Sequence, residues 1–235
     1  MGRLFHINEE YRKMPDRYTH IDGVKAIGLF VVCIAFSFLH GYLYTTNLSA
    51  TVLSILGVAF PIADILIGIG FVMFFKNTLG SVGFTKKNLR SSLLLGIGGA
   101  VLIIAIYICV TWIGSSEKDL IFYLPSFMSL SLFLFGAVSE EMVFRGYIPT
   151  RLFGWVRNQW MASLISALLF LLIHYPVRWA ATGEFSLSLL SLSHVIFLII
   201  LHFLCDGVYK KTNCLWGSIF LHFLYNILSG MIIIQ

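Results

Sequence analysis

Seven apolar runs, near residues 23–43, 51–75, 92–113, 122–147, 160–176, 187–208 and 214–234, constrain this chain more than anything else in it. An α-helix needs about 20 such residues to cross the hydrocarbon core of a bilayer. Inside that core only helices and closed barrels satisfy their own backbone polar groups. The runs therefore predict an all-α, polytopic membrane bundle of about seven transmembrane helices. It comprises a cytoplasmic N-terminal segment over 1–22 and a single helical domain over 23–235. Composition removes the soluble alternative, because 58% of the 235 residues are hydrophobic and only 11% are charged, against about 25% charged in a soluble domain. A disordered chain and a disulfide scaffold are excluded on the same grounds. The fourth run is long and carries charges, which predicts that it breaks or leaves the membrane near Gly146 to Pro149. The 76–91 connection is long enough to hold an interfacial turn.

The net charge of +5 reads as basic loops on the cytoplasmic side of a membrane rather than as a nucleic-acid surface. Arg3, Arg12, Lys13, Arg17 and Lys25 precede or open the first run; Lys76, Lys86, Lys87 and Arg90 follow the second. Arg151 and Arg157 follow the fourth, and Lys210 and Lys211 precede the seventh, whereas Lys118 and Arg178 fall on the other side. This alternation predicts a cytoplasmic N-terminus and an external C-terminus. Cys33, Cys109, Cys205 and Cys214 show no CxxC spacing and read as packing residues rather than bridges or a zinc site. The polar N-terminus lacks the pattern of a cleaved signal peptide, and His6 stands where a myristoylation signal after Gly2 needs Ser or Thr. Gly68, Gly70, Gly96, Gly98 and Gly99 are predicted to let helices approach closely.

Ionisable groups inside spans are costly and point to function. The fourth run contains Ser139-Glu140-Glu141 followed by Phe144-Arg145-Gly146. Glu141 and Arg145, four apart, can pair on one helix face, and the adjacent Glu140, rotated by about 100°, is then free to face a cavity. A buried carboxylate beside another holds its proton more tightly, which suits a general base or acid. The fifth run ends in Phe170-Leu171-Leu172-Ile173-His174, and the seventh contains His222-Phe223-Leu224-Tyr225-Asn226, which places His222 and Asn226 on one face. Each pattern alone has a structural explanation: an ion pair, an interfacial histidine, interhelical hydrogen bonding. Together they aim a carboxylate, two imidazoles and an amide from three helices, the equipment for activating water and stabilising an oxyanion. Asp64, after Pro61, lines the same cavity or satisfies backbone freed by the proline. His194, His202 and Asp206 form a secondary stripe that reads as packing, and His6, His20 and His40 carry no assignment.

At these residues the chain resembles the CAAX-protease and bacteriocin-processing (CPBP, or Abi) family of intramembrane proteases. The EExxxR motif is Glu140 to Arg145, FxxxH is Phe170 to His174, HxxxN is His222 to Asn226, and Tyr209 to Trp216 resembles the segment leading into the last helix. The likeness covers roughly 125–230, within a catalytic core at about 122–235. The resemblance implies peptide-bond hydrolysis in a membrane-associated or lipidated peptide or protein. Glu140 would activate water with help from His174, His222 and Asn226 would hold the oxyanion, and Glu141 and Arg145 would brace the site. It favours chemistry without a cofactor. Zinc on Glu140, His174 and His222 is the alternative, since two His and one Glu suffice as protein ligands, although HExxH is absent.

Two other classes compete with the endopeptidase: a bacteriocin-immunity or binding protein on the same fold, and a transporter or channel. The three ordered motifs favour the endopeptidase, and the lack of paired broken helices counts against transport. A bacterial-type plasma membrane and a lateral opening beside the fourth and seventh helices are expected. Counting along the runs sets Glu140 and His174 roughly 10 Å apart in depth, so a shared cavity requires staggered, tilted or broken helices.

Overall fold

The computed structural model describes residues 7–114 and 120–234; Gly2, Arg3, His6 and Lys118 lie outside them. The helices run α1 (Glu9–Arg12), α2 (His20–Leu43), α3 (Ala50–Phe74), α4 (Leu89–Gly114), α5 (Phe127–Glu141), α6 (Ile148–Leu152), α7 (Gln159–Leu172), α8 (Pro176–Thr182), α9 (Leu192–Thr212) and α10 (Trp216–Met231). A short antiparallel ribbon joins β1 (Leu120–Phe122) to β2 (Ile232–Ile234), with Leu120 opposite Ile234. Among the described residues six segments are long and apolar enough to cross a bilayer: α2, α3, α4, α5 through α6, α7 through α8, and α9. The 16-residue α10 is the seventh long helix. The chain is an integral, multi-pass, all-α membrane protein.

Its surface is inverted relative to a soluble domain. Leu66, Leu94, Val101 and Ile113 point outward, while Glu141, Arg145, Arg151, Asp206 and Lys210 are buried. Buried charges in such a bundle need close partners, either an opposite charge or hydrogen-bond acceptors and aromatic rings. Local sequence sets the helix ends: Ser49, Ser126, Asn158 and Ser191 each accept a backbone N–H in the first turn of the helix that follows, as N-cap residues do. Thr19 donates through both its backbone N and Oγ1 to Asp22, at 2.9 Å each.

The fourth span breaks its α-helical ladder close to the expected place but does not end there: it passes through a π-helical turn, Met142–Tyr147, and continues as α6 to Leu152. Pro149 lacks the N–H that would continue an α-helical ladder. The wider turn is closed instead by Ile148 N donating to Val143 O. Side chains satisfy carbonyls of this stretch: Ser166 Oγ donates to Phe144 O at 2.7 Å and Thr150 Oγ1 to Gly146 O at 2.6 Å. At its N-terminal end the span starts at Phe127 rather than 122, because 120–122 pair as β1. The helix therefore reaches five residues further toward the basic end than the apolar run suggests. From the two neighbouring helix ends, Leu152 and Gln159, Glu140 and His174 now stand at depths differing by only about 5 Å. The sixth helix shifts likewise, from 187–208 to Leu192–Thr212, with a 3-10 turn over Leu187–Leu189.

Basic residues of several connections meet at one end of the bundle. Asn8 N donates to Lys210 O at 2.9 Å. Lys87 pairs with Glu10, and Arg157 with Asp16 at 3.3 Å. Lys87 and Asn213 both donate to the Glu10 carboxylate, which holds it below the usual carboxylate range. Two of the presumed loop cations are not loop residues. Arg151 is buried, bonded to Ser81 Oγ at 2.7 Å and packed between the rings of Tyr18 and Tyr147. Lys210, inside α9, pairs with Asp206 at 2.8 Å and donates to Ser163. A charge run before a turn shows no trace in sequence of the distant hydroxyl that receives it.

Close helix approach rests on fewer glycines than expected. A Cβ on Gly68 would meet Met142, on Gly96 the backbone of Gly217, and on Gly99 Leu221, but Gly70 and Gly98 have nothing within 4 Å. Gly217 is the tightest point between α4 and α10, facing the Ser92 carbonyl. Its N–H donates to Ser92 Oγ at 3.0 Å. Overpacking of this kind costs about 1–3 kcal/mol. Gly217→Ala is expected to lose that much in thermal unfolding of the detergent-solubilised protein, and Gly98→Ala to change stability by less than about 0.5 kcal/mol.

Candidate active site

Glu140 and Glu141 close α5 and diverge as adjacent helical residues must. Glu141 is fully buried, with its Oε1 3.0 Å from Arg145 Nη1 and 2.8 Å from His222 Nδ1. Glu140 turns the other way, its side chain 32% exposed, with Oε2 3.8 Å from His222 Nε2. The expected pairing of Glu141 with Arg145 is thus present, and it carries His222 of α10 as well.

Phe170 gives the second motif a physical role. Its ring lies 4.2 Å beneath the Arg145 guanidinium and 5.0 Å from the His174 ring, so it seats the buried cation by a cation–π contact. Its carbonyl accepts from His174 Nδ1 at 2.7 Å. A carbonyl only accepts, so Nδ1 carries the proton and Nε2 of a neutral His174 offers a lone pair. By the same reasoning His222 Nδ1 donates to Glu141 and leaves Nε2 facing Glu140.

The four central residues meet at one cavity. A space of about 400 Å³ between α5, α9 and α10 is lined by Glu140, His174, His222 and Asn226, with Tyr225 and His194 beside them. A second cavity of about 240 Å³ lies toward α2 and α3. Glu140, His174 and Arg178 line both and form the wall between them. The larger cavity sits between the fourth span and α10.

The secondary stripe on α9 does not act as one face. His194 borders the larger cavity, its ring 6.4 Å from that of His174. His202 is fully buried 5.6 Å from the Phe170 ring, with neither ring nitrogen hydrogen-bonded. Asp206 is held by Lys210 and by Ser163 at 2.9 Å. Sequence reasoning left Arg178 as an outer-side cation, yet its Nη1 donates to His174 O at 2.7 Å. The signal was its position four residues after His174. Asp64 lines the smaller cavity with Pro61.

For the zinc alternative, Nδ1–H of both imidazoles is held by an oxygen, which leaves each Nε2 lone pair available, but among the described residues no three His, Cys, Asp or Glu side chains are gathered closely enough to hold a metal ion.

Residues 122–228 match the family model described as type II CAAX prenyl endopeptidase Rce1-like, in agreement with the CPBP resemblance, and the match contains all three motifs. A curated relative, UPF0177 protein YxdF of Lactococcus lactis subsp. lactis (strain IL1403), is 32% identical over 93 residues, which is 40% of this chain and 42% of that protein. The chain thus matches less than half the length of this relative. Helices α1 to α4 lie outside the family match. In general terms the match supports a membrane peptidase.

The geometry separates the tightly paired side chains from Glu140, whose nearest ionic partner is 3.8 Å away. Removing one member of a buried pair costs about 3–5 kcal/mol. Arg145→Ala is expected to lose stability on that scale in thermal or denaturant unfolding, whereas Glu140→Gln, with no ion pair tighter than 3.8 Å to break, is expected to change it by about 1 kcal/mol or less.

Proposed function

We propose, from the family match over residues 122–228 and the cavity its motifs share, that this protein is an intramembrane endopeptidase acting on a membrane-associated or lipidated peptide. The observation that carries the reading is the convergence of Glu140, His174, His222 and Asn226 on one cavity within the bundle. In this reading Glu140 takes a proton from a water while its oxygen attacks the scissile carbonyl carbon. His174, held by the Phe170 carbonyl, orients that water through Nε2. The oxyanion forms beside His222 Nε2 and the Asn226 amide. Since Nδ1–H of His222 is committed to Glu141, Nε2 donates to the oxyanion when the ring carries both protons. In that state the charges of Glu140, Glu141, Arg145 and His222 sum to zero. Collapse of the intermediate breaks the C–N bond, and the proton held by Glu140 passes to the departing amine.

The favoured reading uses no metal, and zinc held by Glu140, His174 and His222 is the alternative that the chelator arm below distinguishes. The gathered basic end supports a cytoplasmic N-terminus and an external C-terminus, in a bacterial-type plasma membrane. Domain limits follow the sequence reading: a cytoplasmic segment over 1–22 and one membrane domain over 23–235, with the catalytic core at about 122–235.

The test is cleavage of a pool of lipidated peptides by purified protein in liposomes, read by mass spectrometry. Loss of an oxyanion donor costs about 10²–10³ in turnover. Asn226→Ala is expected to lose that much in kcat with KM little changed, and His222→Ala at least as much, with a zinc chelator without effect. Turnover that the chelator abolishes and zinc restores makes the same residues metal ligands. Wild-type protein that binds but never cleaves supports the immunity or binding role.

A further inference from the structure

Asp64 is the one group of the described catalytic surroundings left without an ion-pair or hydrogen-bond partner on an element outside the family match. It sits near the middle of α3, the fifteenth of 25 residues, at about the depth of Glu140 in its own span. Its Oδ1 is shielded from solvent and has no hydrogen-bond partner, and none of the salt bridges among the described residues reaches it. Pro61 does not explain it, because the carboxylate bonds to no freed backbone group. A carboxylate inside a membrane span without a partner is costly. Glu141, Asp206 and Asp22, the other acids of the spans that pair, each have a cation or imidazole within 2.8 Å.

The surroundings of Asp64 have the form of a side-chain pocket. The 240 Å³ cavity is walled mainly by Phe36, Phe60, Leu132, Val143 and Ile173 and is acidic at Asp64. It opens on Glu140 and His174, the residues it shares with the larger cavity. Arg178, also on that shared wall, is engaged with the His174 carbonyl rather than with Asp64. A peptide whose scissile bond lies at the shared wall would send one flanking side chain into this pocket. A long apolar stem ending in a cation fits both its walls and its unpaired charge, as lysine and arginine stems lie along apolar surface with the charge at a polar tip.

We infer that Asp64 is a specificity residue that selects substrates with a lysine or arginine next to the scissile bond, its stem against the apolar wall and its charge on the carboxylate. This inference rests on the endopeptidase reading for the word "scissile", but its binding consequence does not.

The experiment uses the full-length protein in liposomes and acyl-anchored ten-residue peptides. Lysine, its uncharged isostere norleucine, or glutamate is placed in turn at each position of the peptide. Cleavage is read with wild type and Asp64→Asn, and binding with each of them in a Glu140→Gln background. Wild type is expected to favour lysine over norleucine at one position by tenfold or more in kcat/KM and in affinity, chiefly through KM. In Asp64→Asn that ratio is expected to fall to within about twofold, and in Asp64→Lys the preference to move to glutamate; thermal unfolding verifies that each variant is folded. A lysine preference that persists in Asp64→Asn, or a variant that loses all peptides equally, overturns the inference. Cleavage without any lysine preference overturns it and leaves the peptidase reading standing. Binding that follows Asp64 without cleavage supports it and overturns the peptidase reading instead.

Discussion

The Glu141 carboxylate is the interaction on which the site depends. It lies in full burial, where a lone charge is not tolerated, and it accepts contacts from Arg145 on its own span and His222 on α10. Arg145 in turn rests on the Phe170 ring of α7. Three helices are thus tied through one anion, and the ring that seats the cation belongs to the residue whose carbonyl fixes the tautomer of His174. The π-helical turn over Met142–Tyr147 carries Arg145 within this arrangement, in keeping with the frequent placement of such turns at functional positions.

A division of labour follows from helical geometry. Adjacent residues on a helix cannot share a face, so committing Glu141 to the interior turns Glu140 toward the cavity. Glu141 is held by two close partners on its Oε1, whereas Glu140 has none nearer than 3.8 Å. Among the described residues the same logic marks Asp64, which is present in the bundle without a partner of its own.

The fold class and the central residues were legible in the sequence for a simple reason. Apolar runs of membrane length leave few architectures, and polar residues four apart on such runs must share a face. The pairing of Glu141 with Arg145 and the common side of His222 and Asn226 follow from that spacing alone. What stayed hidden depended on partners far away in the chain. Arg151 and Lys210 looked like loop charges because nothing near them announces Ser81 or Ser163. The passage of the fourth span through Pro149 was hidden because its carbonyls are satisfied by Ser166 and Thr150 side chains. That extension, in turn, removes most of the apparent depth gap between Glu140 and His174. The stripe of His194, His202 and Asp206 was drawn from periodicity, and the bundle separates it into a cavity residue, a buried ring and half of an ion pair.

The central claim is that Glu140 activates a water against a peptide bond. The most direct measurement is cleavage of a lipidated peptide in H₂¹⁸O by the wild-type protein and by Glu140→Gln, with the products weighed by mass spectrometry. The account predicts ¹⁸O in the new carboxylate of the wild-type product and no product from Glu140→Gln beyond background. Labelled product from Glu140→Gln at a rate near that of wild type would contradict it.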